Sequence, residues 1–332
     1  MHESRLPLVT FYLTERCNSR CVTCDYWRHG RRDASLESVT RVLPDLVRLG
    51  TRVALLSGGE PLLNPQWQAI ADALRGAGVR PWLLTSGLSL AKHAGAAAGR
   101  VESITVSMDG TNAVTYQAIR GLDAFGKVCA GVRAAVALGV PVSLRVTLQR
   151  ANYRELPEFV RLARALGVAQ VSFLAVDVGN PHAFARTGHE DLPLALTGDD
   201  LPLFAELIDA VERDYPREFH SGFIAESPAK LRRIHQYFAA LSGLDRFPPV
   251  RCNAPEFSAV VGVDGRVAPC FFIPGSGAGT QLGLAAALED PGMVELRDAI
   301  RGGSRPECAR CVCSMWRDEP ALHTFALPAR PN

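Results

Sequence analysis

Three cysteines stand within eight residues near the start of the chain, at Cys17, Cys21 and Cys24. They follow an apolar, strand-like run, and their spacing is CxxxCxxC. Three thiols in one tight loop cannot all pair as disulfides, whereas three thiolates can bind three irons of a cubane [4Fe–4S] cluster. The fourth iron is then open to an exogenous ligand. A structural zinc loop is the alternative for this spacing.

The other cysteines indicate a second metal site. The chain has nine cysteines in 332 residues. An odd number is typical of metal or redox chemistry in a reducing compartment rather than of a disulfide framework. Cys129 stands alone in a helical pattern and is predicted to be a buried apolar residue. The remaining five are Cys252, Cys270, Cys308, Cys311 and Cys313.

Composition and charge narrow the class of protein. The chain is 47% hydrophobic and 21% charged, as in ordinary globular proteins. Its net charge of +2 implies no general attraction to nucleic acid or to an anionic membrane. No apolar run is long enough to span a bilayer, and the first residues do not make a signal peptide. We therefore expect a cytoplasmic protein with no nucleic-acid or membrane partner.

Alternating strand and helix patterns must position these cysteines. The predicted strands are Leu8–Leu13, Arg52–Leu56, Arg80–Leu84, Ser103–Val106, Pro141–Thr147 and Gln170–Leu174. The predicted helices between them are Ser35–Leu49, Pro65–Ala77, Ser89–Ala98, Phe125–Leu138 and Tyr153–Leu166, several of which end at a glycine. Six βα units in succession predict an α/β fold with a parallel sheet, either doubly wound or curved into a partial barrel. In a barrel, the active site lies at the carboxyl ends of the strands.

Polar and glycine-rich motifs follow these strand ends. They are Gly58-Gly59-Glu60-Pro61, Thr85-Ser86-Gly87, Ser107-Met108-Asp109-Gly110 and Arg120-Gly121, with Arg145 inside the fifth strand. Paired glycines allow a backbone to approach a ligand closely, and a carboxylate there can accept hydrogen bonds from an ammonium group. A simple Gly-Gly turn and a surface arginine are the alternative interpretations.

With these motifs the chain resembles the radical S-adenosylmethionine (radical SAM) superfamily. The resemblance implies a partial (β/α)6 TIM-like barrel in which Cys17, Cys21 and Cys24 hold a [4Fe–4S] cluster. In that family the amino and carboxylate groups of SAM chelate the open iron, and an electron from the cluster cleaves SAM into methionine and a 5′-deoxyadenosyl radical. It also implies a low-potential electron donor such as flavodoxin or ferredoxin.

The resemblance implies SAM contacts as well. Gly58, Gly59, Glu60 and Pro61 match the motif that holds the SAM amino group, and Ser86 replaces a family asparagine. Ser107 and Asp109 match residues that contact the SAM carboxylate, the ribose or the substrate. Arg120 is expected to pair with the SAM carboxylate or a substrate anion, and Arg145 to line the barrel interior. One departure is Thr23, where many relatives have an aromatic residue; Tyr26 and Trp27 are its possible substitutes.

The C-terminal cysteines belong to a predicted β-hairpin region. Phe257–Val263 and Arg266–Ala268 flank an Asp264-Gly265 turn, with Cys252 and Cys270 at its base and a Cys308–Cys311 pair beyond. This resembles the Twitch domain, a shortened SPASM domain. The resemblance implies one auxiliary [4Fe–4S] cluster on Cys252, Cys270, Cys308 and Cys311. Cys313 either replaces Cys311 or is a spare thiol, and zinc is the competing metal.

We predict three regions: a radical SAM barrel (1–180), a helical bridge or lid (181–249) and a cluster domain (250–332). Within the bridge, two helices are predicted, Asp199–Asp214 and Ala229–Leu241. At its start, Asp177, Asn180 and His182 are either substrate contacts or turn residues.

The expected activity is abstraction of a hydrogen atom from a small polar metabolite such as a sugar, aminocyclitol or nucleoside. A redox-coupled dehydrogenation, decarboxylation or epimerisation would follow, in an oxidoreductase or lyase of natural-product biosynthesis. Radical modification of a ribosomally made peptide is the alternative, disfavoured because the first strand begins too early for a leader-binding domain. A non-catalytic iron–sulfur or zinc protein is the remote third possibility.

Overall fold

One sheet organises the fold. The computed structural model describes residues 6–180, 182 and 193–317. The strands are β1 (Leu8–Tyr12), β2 (Val53–Ser57), β3 (Arg80–Thr85), β4 (Ser103–Ser107), β5 (Val142–Leu148), β6 (Gln170–Ala175), β7 (Ser258–Val261) and β8 (Val267–Ala268). They lie in the order β6-β5-β4-β3-β2-β1-β7-β8, and β1 to β6 are parallel. The six predicted strands are confirmed to within one residue at each end. The predicted partial barrel is confirmed as well.

Helices connect the parallel strands and make up much of the chain after β6. They are α1 (Tyr26–His29), α2 (Leu36–Arg48), α3 (Trp67–Gly76), α4 (Leu90–Ala98), α5 (Ala113–Arg120), α6 (Phe125–Ala137), α7 (Leu156–Ala165), α8 (Leu201–Asp214), α9 (Pro216–His220), α10 (Pro228–Leu241), α11 (Ala254–Phe257), α12 (Leu284–Glu289), α13 (Pro291–Arg301) and α14 (Pro306–Ala309). Side-chain caps mark several starts: the Ser35 hydroxyl accepts from the Ser38 N–H, and the Ser227 hydroxyl accepts from the Lys230 N–H. No described helix has the length and apolar character to cross a membrane.

The two faces of the sheet differ in polarity. Residues paired in register share a face. One face carries an apolar row across the strands, Phe11, Leu56, Leu83, Ile104 and Val142, which belongs to the main hydrophobic core. The opposite face carries a second row, Ser107, Arg145 and Ser172, and Tyr12 beside Ser57. The polar face is therefore where a site can form.

The predicted C-terminal hairpin extends this same sheet. β7 pairs in parallel with β1, and β8 pairs antiparallel with β7 across the Asp264-Gly265 turn. Phe257 and Met315 pack against Val53, on the polar face near the amino ends of the strands. The cysteine-rich region is thus held against the polar face of the sheet beside β1 and β2.

The segment after β6 closes the edge of the sheet. The Val171 N–H donates to the Phe223 carbonyl at 2.8 Å, and the Ala225 N–H donates to the Val171 carbonyl at 2.9 Å. The two predicted helices of the bridge are present as α8 and α10, and their Phe204 and Phe238 rings lie in the main core. The boundaries of the three regions stay a prediction.

Candidate functional site

The loop of Cys17, Cys21 and Cys24 is fixed from two sides. On one side, the Gly59 N–H donates to the Thr14 carbonyl and the Glu60 N–H donates to the Arg16 carbonyl, both at 2.8 Å. On the other, the Arg20 N–H donates to the Arg120 carbonyl at 3.1 Å and the Val22 N–H donates to the Ile119 carbonyl at 3.0 Å. The loop after β1 is therefore positioned by the β2–α3 connection and by the end of α5.

Glycines make these close approaches possible. A Cβ on Gly59 would lie 2.2 Å from the Arg16 carbonyl oxygen, and one on Gly58 would lie 2.7 Å from that of Thr14. Gly121, with φ of +75°, would place a Cβ 2.3 Å from the Arg20 carbonyl oxygen. The sequence interpretation assigned Gly58 and Gly59 to the approach of a ligand; the structure shows them approaching the segment that leads into the cysteine loop.

Glu60 is a buried anchor. Its carboxylate is fully inaccessible to solvent and accepts hydrogen bonds from the Leu62 N–H, the Thr85 hydroxyl, and the Ser86 N–H and hydroxyl, at 2.7–3.1 Å. The Ser86 hydroxyl also lies 3.1 Å from the Asn18 side-chain oxygen. Glu60 and Ser86 therefore tie the glycine motif to the cysteine loop, rather than offering a free carboxylate to an ammonium group.

The three thiols of this loop lie within reach of one another's charge. Burial, together with the charge of Cys21, raises the pKa of Cys17 to about 11 and that of Cys24 to about 12. Burial also raises the pKa of Cys21, which the Arg120 charge opposes. Metal binding stabilises such thiolates because it supplies positive charge directly at sulfur. The three thiols thus fit a [4Fe–4S] site in which the protein supplies three thiolate ligands.

Arg120 and Asp109 form a buried pair beside these thiols. Arg120 Nη1 donates to Asp109 Oδ2 at 3.0 Å, and the other carboxylate oxygen accepts from the Thr147 N–H at 2.8 Å. The Arg120 side chain is only 12% exposed, so it is not a surface arginine. Its buried Nε has no hydrogen-bond partner among the described residues. The Arg120 Nε is therefore a donor without an acceptor among the described residues, whereas both Asp109 oxygens already accept hydrogen bonds.

Arg145 and Ser107 lie side by side on the polar face. Ser107 is half-buried at the carboxyl end of β4, and Arg145 is half-buried in β5. The Arg145 Nε is buried, and within residues 6–180, 182 and 193–317 it makes no hydrogen bond. The sequence prediction that Arg145 faces the barrel interior is consistent with this position.

All five C-terminal cysteines line one pocket. Apolar side chains complete the lining, among them Phe271, Phe272 and Met315. The Phe272 N–H donates to Cys270 Sγ at 3.4 Å, and burial raises the pKa of Cys270 to about 11 and raises the pKa of Cys311 as well. In the described part of the chain, no three His, Cys, Asp or Glu side chains are arranged as ligands of a single metal ion.

An aromatic group, which we call the aromatic bridge, links the two sets of cysteines. The Tyr12 ring lies edge-on to Tyr26 at 5.6 Å between centroids and 6.4 Å from Phe271. Tyr26 is two residues after Cys24, and Phe271 follows Cys270 directly. Burial raises the pKa of Tyr12, and the charges of both Cys24 and Cys270 add to the shift. Sequence reasoning missed Tyr12, which looked like an ordinary strand residue.

Asp177, Asn180 and His182, at the start of the predicted helical bridge, make contacts within a turn and with residues that line the cysteine pocket. Asp177 Oδ1 accepts from the Gly179 and Asn180 N–H groups at 2.9 and 3.0 Å. Asn180 Nδ2 donates to the Phe272 carbonyl at 3.0 Å, and His182 Nε2 lies 3.8 Å from the Glu307 carboxylate. These contacts favour the turn interpretation for Asp177 and join the bridge to the cysteine pocket through Asn180 and His182.

A charged group at the edge of the sheet was also missed. Glu226 accepts from the Phe173 N–H at 2.7 Å and the Ser172 hydroxyl at 3.1 Å, and lies 3.8 Å from Lys230 Nζ. Burial raises the pKa of Glu226, against the charges of Lys230 and Arg145. Burial likewise raises the pKa of Cys313, and the charges of Arg145 and Lys230 oppose that rise. Glu226 and Lys230 show only helical i,i+4 spacing in the sequence, which gives no sign of the contact of Glu226 with β6.

Comparisons with known proteins agree with this geometry. A family model described as the Radical SAM superfamily matches residues 11–163. The chain is 32% identical over 186 residues to the AdoMet-dependent heme synthase of Methanosarcina barkeri, covering 52% of this chain and 51% of that protein. It is 31% identical over 345 residues to GTP 3′,8-cyclase 2 of Mycobacterium tuberculosis, covering 96% and 86%. The match spans only 51–60% of several other curated relatives.

A solved structure shows the same fold. Streptococcus suis SuiB bound to S-adenosylmethionine matches with a TM-score of 0.69, over 94% of this chain and 73% of SuiB. The sequence identity of 13% makes this a likeness of fold alone.

Proposed function

The chain belongs to the radical SAM superfamily, whose members use SAM and a [4Fe–4S] cluster, and we propose that Cys17, Cys21 and Cys24 hold that cluster. The support is the donor set described above: three thiols in one loop that is fixed by backbone hydrogen bonds from β2–α3 and α5. When bound, the cluster supplies the electron that cleaves SAM. The chain's own part is to hold the loop rigidly and to orient SAM.

We assign SAM orientation to groups that keep free capacity. The Arg120 Nε is buried without a partner in the described residues and lies beside the thiols, so it suits the SAM carboxylate. Ser107, half-buried on the polar face, is a further donor. Gly58 to Pro61 contribute backbone groups only, because the Glu60 carboxylate holds Thr85 and Ser86. Asp109 acts by fixing Arg120.

We propose a single auxiliary [4Fe–4S] cluster in the C-terminal pocket. The observation that carries it is the convergence of Cys252, Cys270, Cys308, Cys311 and Cys313 on one pocket. Five thiols exceed the four that a cluster needs, so one of Cys311 and Cys313 is a spare. The ring contacts of Tyr12 with Tyr26 and Phe271 support a role for this pocket in redox-coupled radical chemistry, because Tyr26 and Phe271 lie close in sequence to Cys24 and Cys270.

We propose that the substrate is a small polar metabolite, and that the reaction is that of an oxidoreductase or lyase. Curated relatives are named as a heme synthase and a GTP 3′,8-cyclase, which are activities on small molecules. Peptide modification is the second candidate, since one SuiB structure contains its precursor peptide SuiA, although that likeness shows the fold alone. A flavodoxin or ferredoxin is the proposed electron donor.

Iron and sulfide analysis of anaerobically reconstituted protein tests the two-cluster proposal. We expect about eight irons per chain, falling to about four in the Cys17/Cys21/Cys24→Ala variant. The matched control is Cys129→Ala, which removes a buried thiol on α6 outside both groups and should leave the iron content unchanged. Four irons in the wild type, with a zinc retained by the triple variant, would contradict the auxiliary cluster.

Product profiling tests the substrate class. Candidate sugars, aminocyclitols and nucleosides are incubated with SAM, a flavodoxin-based reductant and reconstituted enzyme, beside ribosomal precursor peptides. Turnover of a small metabolite supports the proposal. Turnover of a peptide with none of a metabolite would establish the alternative.

A further inference from the structure

A basic groove lies next to the C-terminal cysteines. It runs between α10 and residues 311–317, reaches Ala175 at the carboxyl end of β6, and includes Cys311 in its lining. Its volume is about 590 Å³, within the range of pockets for small-molecule ligands. The lining includes four cationic side chains, Lys230, Arg233, Arg251 and Arg317, and no Asp or Glu among the described residues.

Two of these arginines are held in place by neutral partners. Arg233 Nη2 donates to the Pro249 carbonyl at 2.6 Å, and the Arg251 guanidinium lies over the Trp316 ring at 3.6 Å from its centroid. Neither makes an ion pair with a carboxylate in the described part of the chain. By contrast, Arg232, the residue before Arg233 on α10, forms ion pairs with both Asp209 and Glu212. Within the residues that the structure describes, the charges of Arg233 and Arg251 therefore have no carboxylate partner.

The charge of Lys230 differs from that of these two arginines. Lys230 lines the groove, but its Nζ lies 3.8 Å from the buried Glu226 carboxylate, which offsets its charge. The cysteine pocket lies alongside, because Cys311 and Met315 line both the groove and that pocket. A molecule in the groove therefore meets the charges of Arg233 and Arg251 beside the cysteines.

We propose that this groove binds a small molecule that carries phosphate or carboxylate groups. Guanidinium groups suit both anions because their donors match the paired oxygens. The fixed positions of Arg233 and Arg251 lower the entropy that binding must remove. That this ligand is the substrate rests on the proposed function, whereas anion binding in the groove does not.

Calorimetric titration of the anaerobically reconstituted protein tests the groove. Fructose 1,6-bisphosphate and succinate are the phosphate and carboxylate probes, and fructose is the uncharged control. We expect one or both anions to bind the wild type and fructose not to bind. Arg233→Gln and Arg251→Gln should each weaken binding roughly tenfold or more, since each removes charge-assisted hydrogen bonds. Arg232→Gln, on the same helix, should change binding less than about twofold.

Several results would overturn the proposal. They are equal affinity of Arg232→Gln, Arg233→Gln and Arg251→Gln for the anions, binding of fructose as tight as that of its bisphosphate, and binding of an acidic peptide where neither small anion binds. Iron content and circular dichroism of each variant show that it is folded.

SAM cleavage separates this proposal from the proposed function. Formation of 5′-deoxyadenosine without substrate is measured in the wild type and in Arg232→Gln. Anion binding without any SAM cleavage would refute the radical activity and leave the groove standing, whereas SAM cleavage without anion binding would refute the groove alone.

Discussion

Replacing Glu60 with glutamine should destabilise the whole site. The Glu60 carboxylate accepts hydrogen bonds from four donor groups on Leu62, Thr85 and Ser86, and no solvent reaches it. In Glu60→Gln, one of the two oxygens becomes an NH₂ group that must face the Leu62 or Ser86 N–H. A buried N–H left without an acceptor costs about 1–3 kcal/mol, and the remaining bonds lose the strength that a charged acceptor gives. We expect a loss of roughly 2–4 kcal/mol in the free energy of unfolding.

Urea unfolding under anaerobic conditions measures this loss, with iron content determined on the same samples. Glu37→Gln is the matched control, because Glu37 is 82% exposed and pairs only with Arg41 on the surface of α2. Its cost should stay below about 0.5 kcal/mol. The opposite assignment, in which Glu60 binds the SAM amino group, predicts a different result. If Glu60→Gln unfolds like the wild type but binds SAM more weakly, the carboxylate serves the ligand and our reasoning is wrong.

Three further outcomes are expected. Gly121→Ala should lower the iron content from about eight to about four per chain, because its Cβ would collide with the Arg20 carbonyl and displace the cysteine loop. Gly139→Ala is the control: Gly139 has the same φ of +75° but open space around its Cβ position, so this variant should keep all of its iron. Lowering the pH from 7.5 towards 5.5 should stabilise the wild type relative to Glu226→Gln in urea unfolding. Burial raises the pKa of Glu226 in the folded state, so the native state binds more protons than the unfolded state as the pH falls. Parallel curves of unfolding free energy against pH for the two proteins would contradict this. Cys313→Ser and Cys311→Ser should differ, with one keeping about eight irons and the other falling to about four, and a loss in both would show that neither thiol is a spare.

The sequence predicted the barrel strands well because each carries a local signal. A β-rich run, a following motif of glycine or polar residues, and a helix that ends at glycine repeat along the first half of the chain. α5 was not predicted, since Ala113–Arg120 shows a weak apolar pattern and depends on its Asn112 cap, whose side chain accepts from the Thr115 N–H. The pairing of β7 with β1 was not predicted either, because the sequence of a strand does not indicate which distant strand it pairs with.

The residue types of the candidate site were predicted from the sequence, but their contacts were not. Glu60 and Gly59 stand where the motif requires them. The Glu60 carboxylate accepts from the Ser86 N–H and the Gly59 N–H donates to the Thr14 carbonyl, and both partners are far away in the sequence. Likewise, the charges of Arg145 and Lys230 meet at Cys313 only because the chain folds the C-terminal region onto the polar face. Spacing along a chain carries no information about such encounters.

The position of Tyr12 shows how the fold holds the two cysteine groups near each other. β1 lies between β2, which supplies the motif that fixes the first cysteine loop, and β7, which begins the hairpin of the second group. Tyr12 is the last residue of β1, and its ring contacts Tyr26 on one side and Phe271 on the other. A single strand thus sets the separation of both groups, and a change in the register of β7 against β1 would move one group relative to the other. The C-terminal hairpin is therefore a continuation of the same sheet through β1 rather than an appendage to a finished barrel.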